Sequence, residues 1–367
     1  MIMRAITILF IGILFASAAP RACANDPLTT KRLYNAVNQP ILFTITPPDP
    51  DAQLRLLLID PLSRETVGSR PVSLTDSDLS RLFPVLWTTR RPRLLLLQLE
   101  VDGEPTGSPL VLEPLLTPTR HHSAWLSQLD DAASRRDADA LNRLLALTSS
   151  ATDRLRSRIT EVSSNDATYS GLRIYPARTV ILRTDLGDIE LRLFPEHAPK
   201  TVFRFLHLVE GGFYDNLSFH RTLSTDHSGN PFLIQTGDPT ATGRGGAGEW
   251  SDYEPSKLPH TFGAVSIARR SDDPNTNAGQ FFICLSRDAC AHLDGHNTAF
   301  ARVVRGAETI RAIALKPSDL RDPDDPTSPK DRPIEPVLIR EAITQPSPAW
   351  GHMPAPLEEA DAYPRGR

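Results

Sequence analysis

Between Phe219 and Phe300 the 367-residue chain gathers the side chains with most chemical potential into short blocks. They are Phe219-His220-Arg221, then Phe232-Leu233-Ile234-Gln235-Thr236-Gly237-Asp238, then Asn275-Thr276-Asn277-Ala278-Gly279-Gln280-Phe281-Phe282-Ile283. His292-Leu293-Asp294-Gly295 and Phe300 complete the set. An arginine, two glutamines and several aromatics recur among β-type residues, with no paired acid and base and no activated nucleophile among them. Such a set suits a shallow apolar groove with a single cation at its rim. The histidines are scattered and none has metal-ligand spacing. Gly243-Arg244-Gly245-Gly246-Ala247-Gly248 lacks the strand–loop–helix context and the Lys-Ser/Thr ending of a phosphate cradle, so it reads as a flexible loop. Asn216-Leu217-Ser218 fits a glycosylation sequon, but so short a motif beside a site strand carries little weight.

The elements that must hold these blocks follow from periodicity. Val180 to Arg183, a turn at Leu186-Gly187-Asp188, and the alternating Ile189-Glu190-Leu191-Arg192-Leu193 read as an antiparallel pair. Pro199 opens a helix, where its missing N–H costs nothing. Val202, Phe205, Leu206 and Val209 form its apolar face, and Gly211-Gly212 ends it. Ala307 to Leu315 predicts a second short helix with Ile310 and Ile313 inward, and Val337 to Arg340 a final strand. Phe281 and Phe282 point to opposite faces of their strand, so Phe281 is assigned to the core.

The rest of the chain is larger than one domain requires. Met1 to Arg4 carry a positive charge, Ala5 to Ala16 are apolar, and small residues lead to Ala22-Cys23-Ala24. That order predicts a secretory signal peptide over 1–24, too short for a comfortable span of ~20 residues. Pro20 and Arg21 before Cys23 argue against a lipid anchor. Residues 25–117 predict a β-rich accessory domain, with Asp102-Gly103 supplying the positive φ of a hairpin turn. From Ser123 to Val162 the apolar spacing turns helical, which gives a helical segment over 118–167. The stretch 345–367, rich in Pro and charge, predicts a flexible tail. A net charge of -4 gives no reason to expect nucleic acid or an anionic membrane as partner. In an exported chain Cys284 and Cys290 could pair, but the buried strand and short spacing favour two separate thiols.

Taken together, the blocks resemble the cyclophilins, a peptidyl-prolyl cis/trans isomerase family, in its bacterial-type form. The likeness runs from about Thr179 to Ala342. It begins with Val180-Ile181-Leu182-Arg183-Thr184-Asp185-Leu186-Gly187-Asp188-Ile189 and continues through Ala198-Pro199-Lys200-Thr201-Val202 and Gly212-Phe213-Tyr214 to the blocks above. The implied fold is mainly β: a closed eight-stranded antiparallel barrel with two capping helices over 176–344, preceded by the accessory domain and the helical segment. The implied reaction is rotation about X–Pro bonds of proline-containing polypeptides, here exported to the periplasm or outside, with no cofactor and no metal. Amide resonance sets a barrier of ~18–20 kcal/mol, and turnover at ~1–1000 per second needs roughly 3–7 kcal/mol of it removed. The resemblance makes Arg221 and Gln235 catalytic, Arg221 donating to the lone pair that the prolyl nitrogen regains when twisted. Phe232, Leu233, Phe282 and Leu293 would line the proline pocket, with Ala268, Gln280, His292 and Asn297 as further substrate contacts, while His220 reads as structural.

The sequence also departs from the family's pattern. Ser224 to Pro231 is an extra stretch at the groove, His292 stands where tryptophan is frequent, which puts cyclosporin binding in doubt, and Asn297 replaces a frequent histidine. Arg269 stands for a common asparagine and Ala301 for a usual glycine. A competing reading keeps the groove but not the catalysis: a module that docks proline segments as a chaperone or envelope scaffold.

Overall fold

The computed structural model describes residues 26–117, 133–138, 140, 167–223, 229–270, 273–320 and 331–362. The expected signal peptide, nearly all of the 118–167 helical segment and residues 224–228 of the extra stretch lie outside the described residues. Among the described residues no helix is long and apolar enough to cross a membrane.

Two antiparallel sheets organise the chain. The first contains β1 (Tyr34–Ala36), β2 (Leu54–Asp60), β3 (Glu65–Val72), β4 (Leu95–Val101), β5 (Glu104–Thr117) and β6 (Thr168–Pro176), in the order β1-β6-β5-β4-β2-β3. Asp102 (φ 52°) and Gly103 (φ 87°) make the turn between β4 and β5, both in the left-handed region that a tight hairpin requires. β6 comes from beyond the helical segment and pairs along β5 from Leu110↔Pro176 to Thr117↔Thr168. Sequence patterning alone does not join it to this sheet, because only long-range pairing with β5 and β1 defines it. Gly171 permits the approach of β1: a Cβ there would lie 2.1 Å from the Asn35 carbonyl oxygen.

The second sheet begins one residue later. Its strands are β7 (Arg178–Thr184), β8 (Gly187–Leu193), β9 (Leu217–Ser218), β10 (Arg221–Leu223), β11 (Leu233–Thr236), β12 (Ala264–Ile267), β13 (Phe281–Cys284), β14 (Ala299–Arg305) and, after two intervening short strands, Leu338–Pro346. Hydrogen bonding orders them β9, Leu338–Pro346, β7, β8, β14, β12, β13, β11, β10. This is nine strands where eight were expected, and the two edge strands, β9 and β10, are separated only by Phe219 and His220. Helix α1 (Pro199–Glu210) buries Val202, Phe205, Leu206 and Val209, and α2 (Ala307–Ala314) buries Ile310 and Ile313. Phe205 anchors an aromatic interior, with its ring centroid 5.5 Å from Phe281 and 4.9 Å from Phe300.

Residue parity joins the two sheets. Leu58, Leu97, Leu110, Leu112 and Ile174 pack in a core on one face of the first sheet. Their neighbours Ile59, Leu96, Val111 and Tyr175 point the other way and enter the core of the second sheet with Val180, Leu182, Phe205 and Phe300. Between them Arg173 pairs with Glu113 at 2.5 Å and lies 3.7 Å over the Phe203 ring.

Through residue 362 the C-terminal stretch differs from the flexible tail expected over 345–367, whose last five residues lie outside the described ones. The Leu338–Pro346 strand runs into it, Ser108 Oγ donates to the Ser347 carbonyl at 3.0 Å, and the Trp350 amide donates to Gln98 Oε1 at 2.8 Å. The Leu357 amide donates to the Val303 carbonyl at 3.0 Å, and Ala362 is fully buried. Proline and charge suggested disorder, but the few apolar residues among them dock on the shared core.

Candidate active site

Pairing across three strands assembles the site. On β10 and β11, Arg221 lies opposite Gln235 and Leu223 opposite Leu233. On β11 and β13, Gln235 lies opposite Phe282 and Leu233 opposite Cys284. Because side chains alternate, these six share one face, while Ile234, Phe281 and Ile283 fill the interior. The result is a row Arg221–Gln235–Phe282, polar at its Arg221 end, beside the apolar row Leu223–Leu233–Cys284.

The apolar residues predicted for the proline pocket come together. Leu233 and Phe282 are buried with Ala264, Cys284 and Cys290, and Leu223, Phe232, Ala268 and Leu293 pack against them. Both thiols are free, and Cys290 Sγ contacts the Phe232 carbonyl at 3.2 Å. His292 is exposed, its ring 5.9 Å from that of Phe232. Asn297 is buried and its Nδ2 donates to the Ile267 carbonyl at 2.9 Å, bracing the strand that precedes Ala268.

The two glutamines are linked to each other. Gln235 Nε2 donates to Gln280 Oε1 at 2.8 Å, and Gln280 Nε2 donates to the carbonyls of Gly243 (3.0 Å) and Gly245 (2.7 Å). Gln280 therefore holds the glycine-rich loop from one side. Asp238 holds it from within, accepting from the amides of Thr240 (2.7 Å) and Gly243 (2.6 Å). Arg221 Nε donates to Asp331, whose Oδ2 lies 2.5 Å away.

His220 packs between the two edge strands and is 4% exposed. Neither ring nitrogen makes a hydrogen bond of normal geometry among the described residues. Burial pushes its pKa down to about 4, against an opposing pull from Asp238. It is a neutral, structural side chain at physiological pH.

A buried relay supports the pocket from behind. His260 Nδ1 lies 2.9 Å from Asp294 Oδ1, and its Nε2 lies 2.9 Å from Ser266 Oγ. The ring stacks on Phe282 at 18° with centroids 6.1 Å apart. Burial lowers the His260 pKa despite Asp294, so the ring is neutral, with Nδ1–H donating to the carboxylate and Nε2 accepting from the serine. Burial would raise the Asp294 carboxyl, but the His260 amide and ring and the Arg287 guanidinium outweigh it and hold it at about 2. Serine, histidine and aspartate in this order suggest a hydrolytic triad. Ser266 and His260 are fully buried, however, so no substrate carbonyl reaches the hydroxyl. The relay fixes the Phe282 ring.

Sequence reasoning gave no supporting role to Asp331, His260, Ser266 or Asp294, because Asp331 lies 110 residues from Arg221 and Asp294 lies 34 from His260.

An arginine at the edge of a strand-borne apolar cluster, with no activated nucleophile facing it among the described residues, suits non-covalent work on a peptide. Residues 179–344 match the family described as cyclophilin type peptidyl-prolyl cis-trans isomerase/CLD. The chain is 40% identical over 168 residues to peptidyl-prolyl cis-trans isomerase ppi1 of Schizosaccharomyces pombe, which covers 45% of this chain and 97% of that protein. It is 38% identical over 167 residues to peptidyl-prolyl cis-trans isomerase-like 1 of Gibberella zeae, covering 44% of this chain and 92% of the relative. A solved Cryptosporidium parvum cyclophilin-type isomerase, crystallised in the presence of the dipeptide Ala-Pro, is 34% identical, with 45% of this chain and 97% of that one covered and a TM-score of 0.39. The chain belongs to the cyclophilin-type peptidyl-prolyl cis-trans isomerase family.

Proposed function

We propose that the chain accelerates cis/trans isomerisation of X–Pro bonds in flexible polypeptides exported with it, and that the 1–24 leader directs it there. The observation that carries this reading is the row Arg221–Gln235–Phe282 set beside the cluster of Phe232, Leu233, Ala268 and Leu293. The apolar cluster takes the pyrrolidine ring and excludes water from it. Arg221 then donates to the prolyl nitrogen as that atom becomes pyramidal. Such a bond forms mainly in the twisted state, so it raises turnover rather than affinity. One charge-assisted hydrogen bond contributes ~1.5–3 kcal/mol, and the preorganised, partly desolvated groove supplies the remainder. We further read Leu217 to Leu223 as one bent strand shared by both sheet edges, which would close the sheet as an eight-stranded barrel.

A protease-coupled proline-peptide assay on the purified chain starting at Asn25 tests the reading. Acceleration over buffer is expected. A rate equal to buffer with the peptide still bound overturns it and leaves the docking module.

A further inference from the structure

After α2 the chain forms a short hairpin, β15 (Ser318–Leu320) and β16 (Arg332–Pro333), with the final strand Leu338–Pro346 following as β17. The hairpin is anchored beside the groove. The Thr222 amide donates to the Asp331 carbonyl at 2.8 Å, and the hydroxyls of Thr222 and Ser318 share a hydrogen bond. Two consecutive residues of it then grip opposite parts of the site. Asp331 takes Arg221 through Nε. Arg332 donates from Nη1 to the Ala241 carbonyl and from Nη2 to the Thr242 carbonyl, each at 2.5 Å, at the entry to the glycine-rich loop that Gln280 also holds.

We propose that Asp331 is a positioning residue for isomerisation: its carboxylate fixes the Arg221 guanidinium through Nε and leaves Nη1 and Nη2 for the prolyl nitrogen. The inference rests on the isomerase reading above. A guanidinium has five N–H donors in a rigid plane, so a carboxylate on Nε sets the plane and uses one donor. An arginine side chain otherwise gives up rotamer freedom when it is ordered; here it is ordered before substrate arrives. The pair is partly shielded, with side chains 37% (Arg221) and 11% (Asp331) exposed, so solvent does not fully screen it. Gln235 stands directly across from Arg221, but among the described residues the hydrogen bond that Arg221 makes is to Asp331.

The test uses the full mature chain with Asp331→Ala and Asp331→Asn, each measured for kcat and KM and each repeated on an Arg221→Ala background. Asp331→Ala should lower kcat about tenfold, the effect of losing one charge-assisted hydrogen bond, with KM changed by less than about twofold. Asp331→Asn keeps an oxygen acceptor and should recover most of the rate. On the Arg221→Ala background the Asp331→Ala change should have no further effect. Folding is controlled by thermal melts, since the backbone carbonyl that holds Thr222 survives in both variants. An unchanged or raised kcat in Asp331→Ala overturns the inference, and so does an equal loss on both backgrounds. A wild type that fails to accelerate exchange overturns the isomerase reading itself, which separates the two failures.

Discussion

Replacing His220 with glutamine should flatten the acid dependence of stability. The native imidazole has its pKa pushed down to about 4 by burial, whereas an unfolded chain returns it to ~6.5. Between those values the unfolded state holds one more proton, so stability rises with pH. The contribution is fully present above ~6.5 and is lost as pH falls through about 4. The slope approaches ~1.4 kcal/mol per pH unit, and over the whole window the loss sums to about 3 kcal/mol. Urea unfolding followed by circular dichroism at pH 7, 6, 5 and 4.5 reads the effect directly. His260 also has a lowered pKa, but it is present in both proteins and cancels in the difference. The wild type should lose stability relative to His220→Gln by about 1 kcal/mol or more between pH 6 and 5. Parallel curves for the two proteins would refute the assignment of His220 as a buried neutral group.

One further substitution and one truncation test the frame of the site. Gly237 has φ 92°, and a Cβ there would lie 2.8 Å from the Gln280 Cα and from the Gly279 carbonyl oxygen. Gly237→Ala should therefore cost about 2 kcal/mol or more in urea unfolding; a cost below about 0.5 kcal/mol contradicts the close approach. Ending the chain at Gln345 removes the residues from Ser347 to Ala362 that cover the shared core. It should lower the stability by about 3 kcal/mol or more, and an unchanged unfolding midpoint would mean that the stretch merely lies on the surface.

The site was legible where its residues are neighbours on strands. Arg221, Leu233, Gln235 and Phe282 fall on three strands whose alternation can be read locally, and their pairing makes the groove. Phe281 went to the core for the same reason. What could not be read depends on contacts distant in sequence. Asp331 is 110 residues from Arg221, and Asp294 is 34 from His260. The sixth strand of the first sheet and the docked C-terminal stretch were hidden likewise, because partners distant in sequence decide their conformation. The ion pair adds to the picture of Arg221 a carboxylate partner that lies far along the chain.

The central claim is that the Arg221 guanidinium acts on the twisted bond and contributes little to ground-state binding. Exchange spectroscopy by NMR on a proline peptide gives the cis/trans interconversion rate and the Kd in one sample. Arg221→Ala should slow interconversion at saturation by about 10- to 150-fold, corresponding to ~1.5–3 kcal/mol, with Kd within about threefold of wild type. Interconversion as fast as in the wild type, or a slower rate fully explained by lost binding, would contradict it.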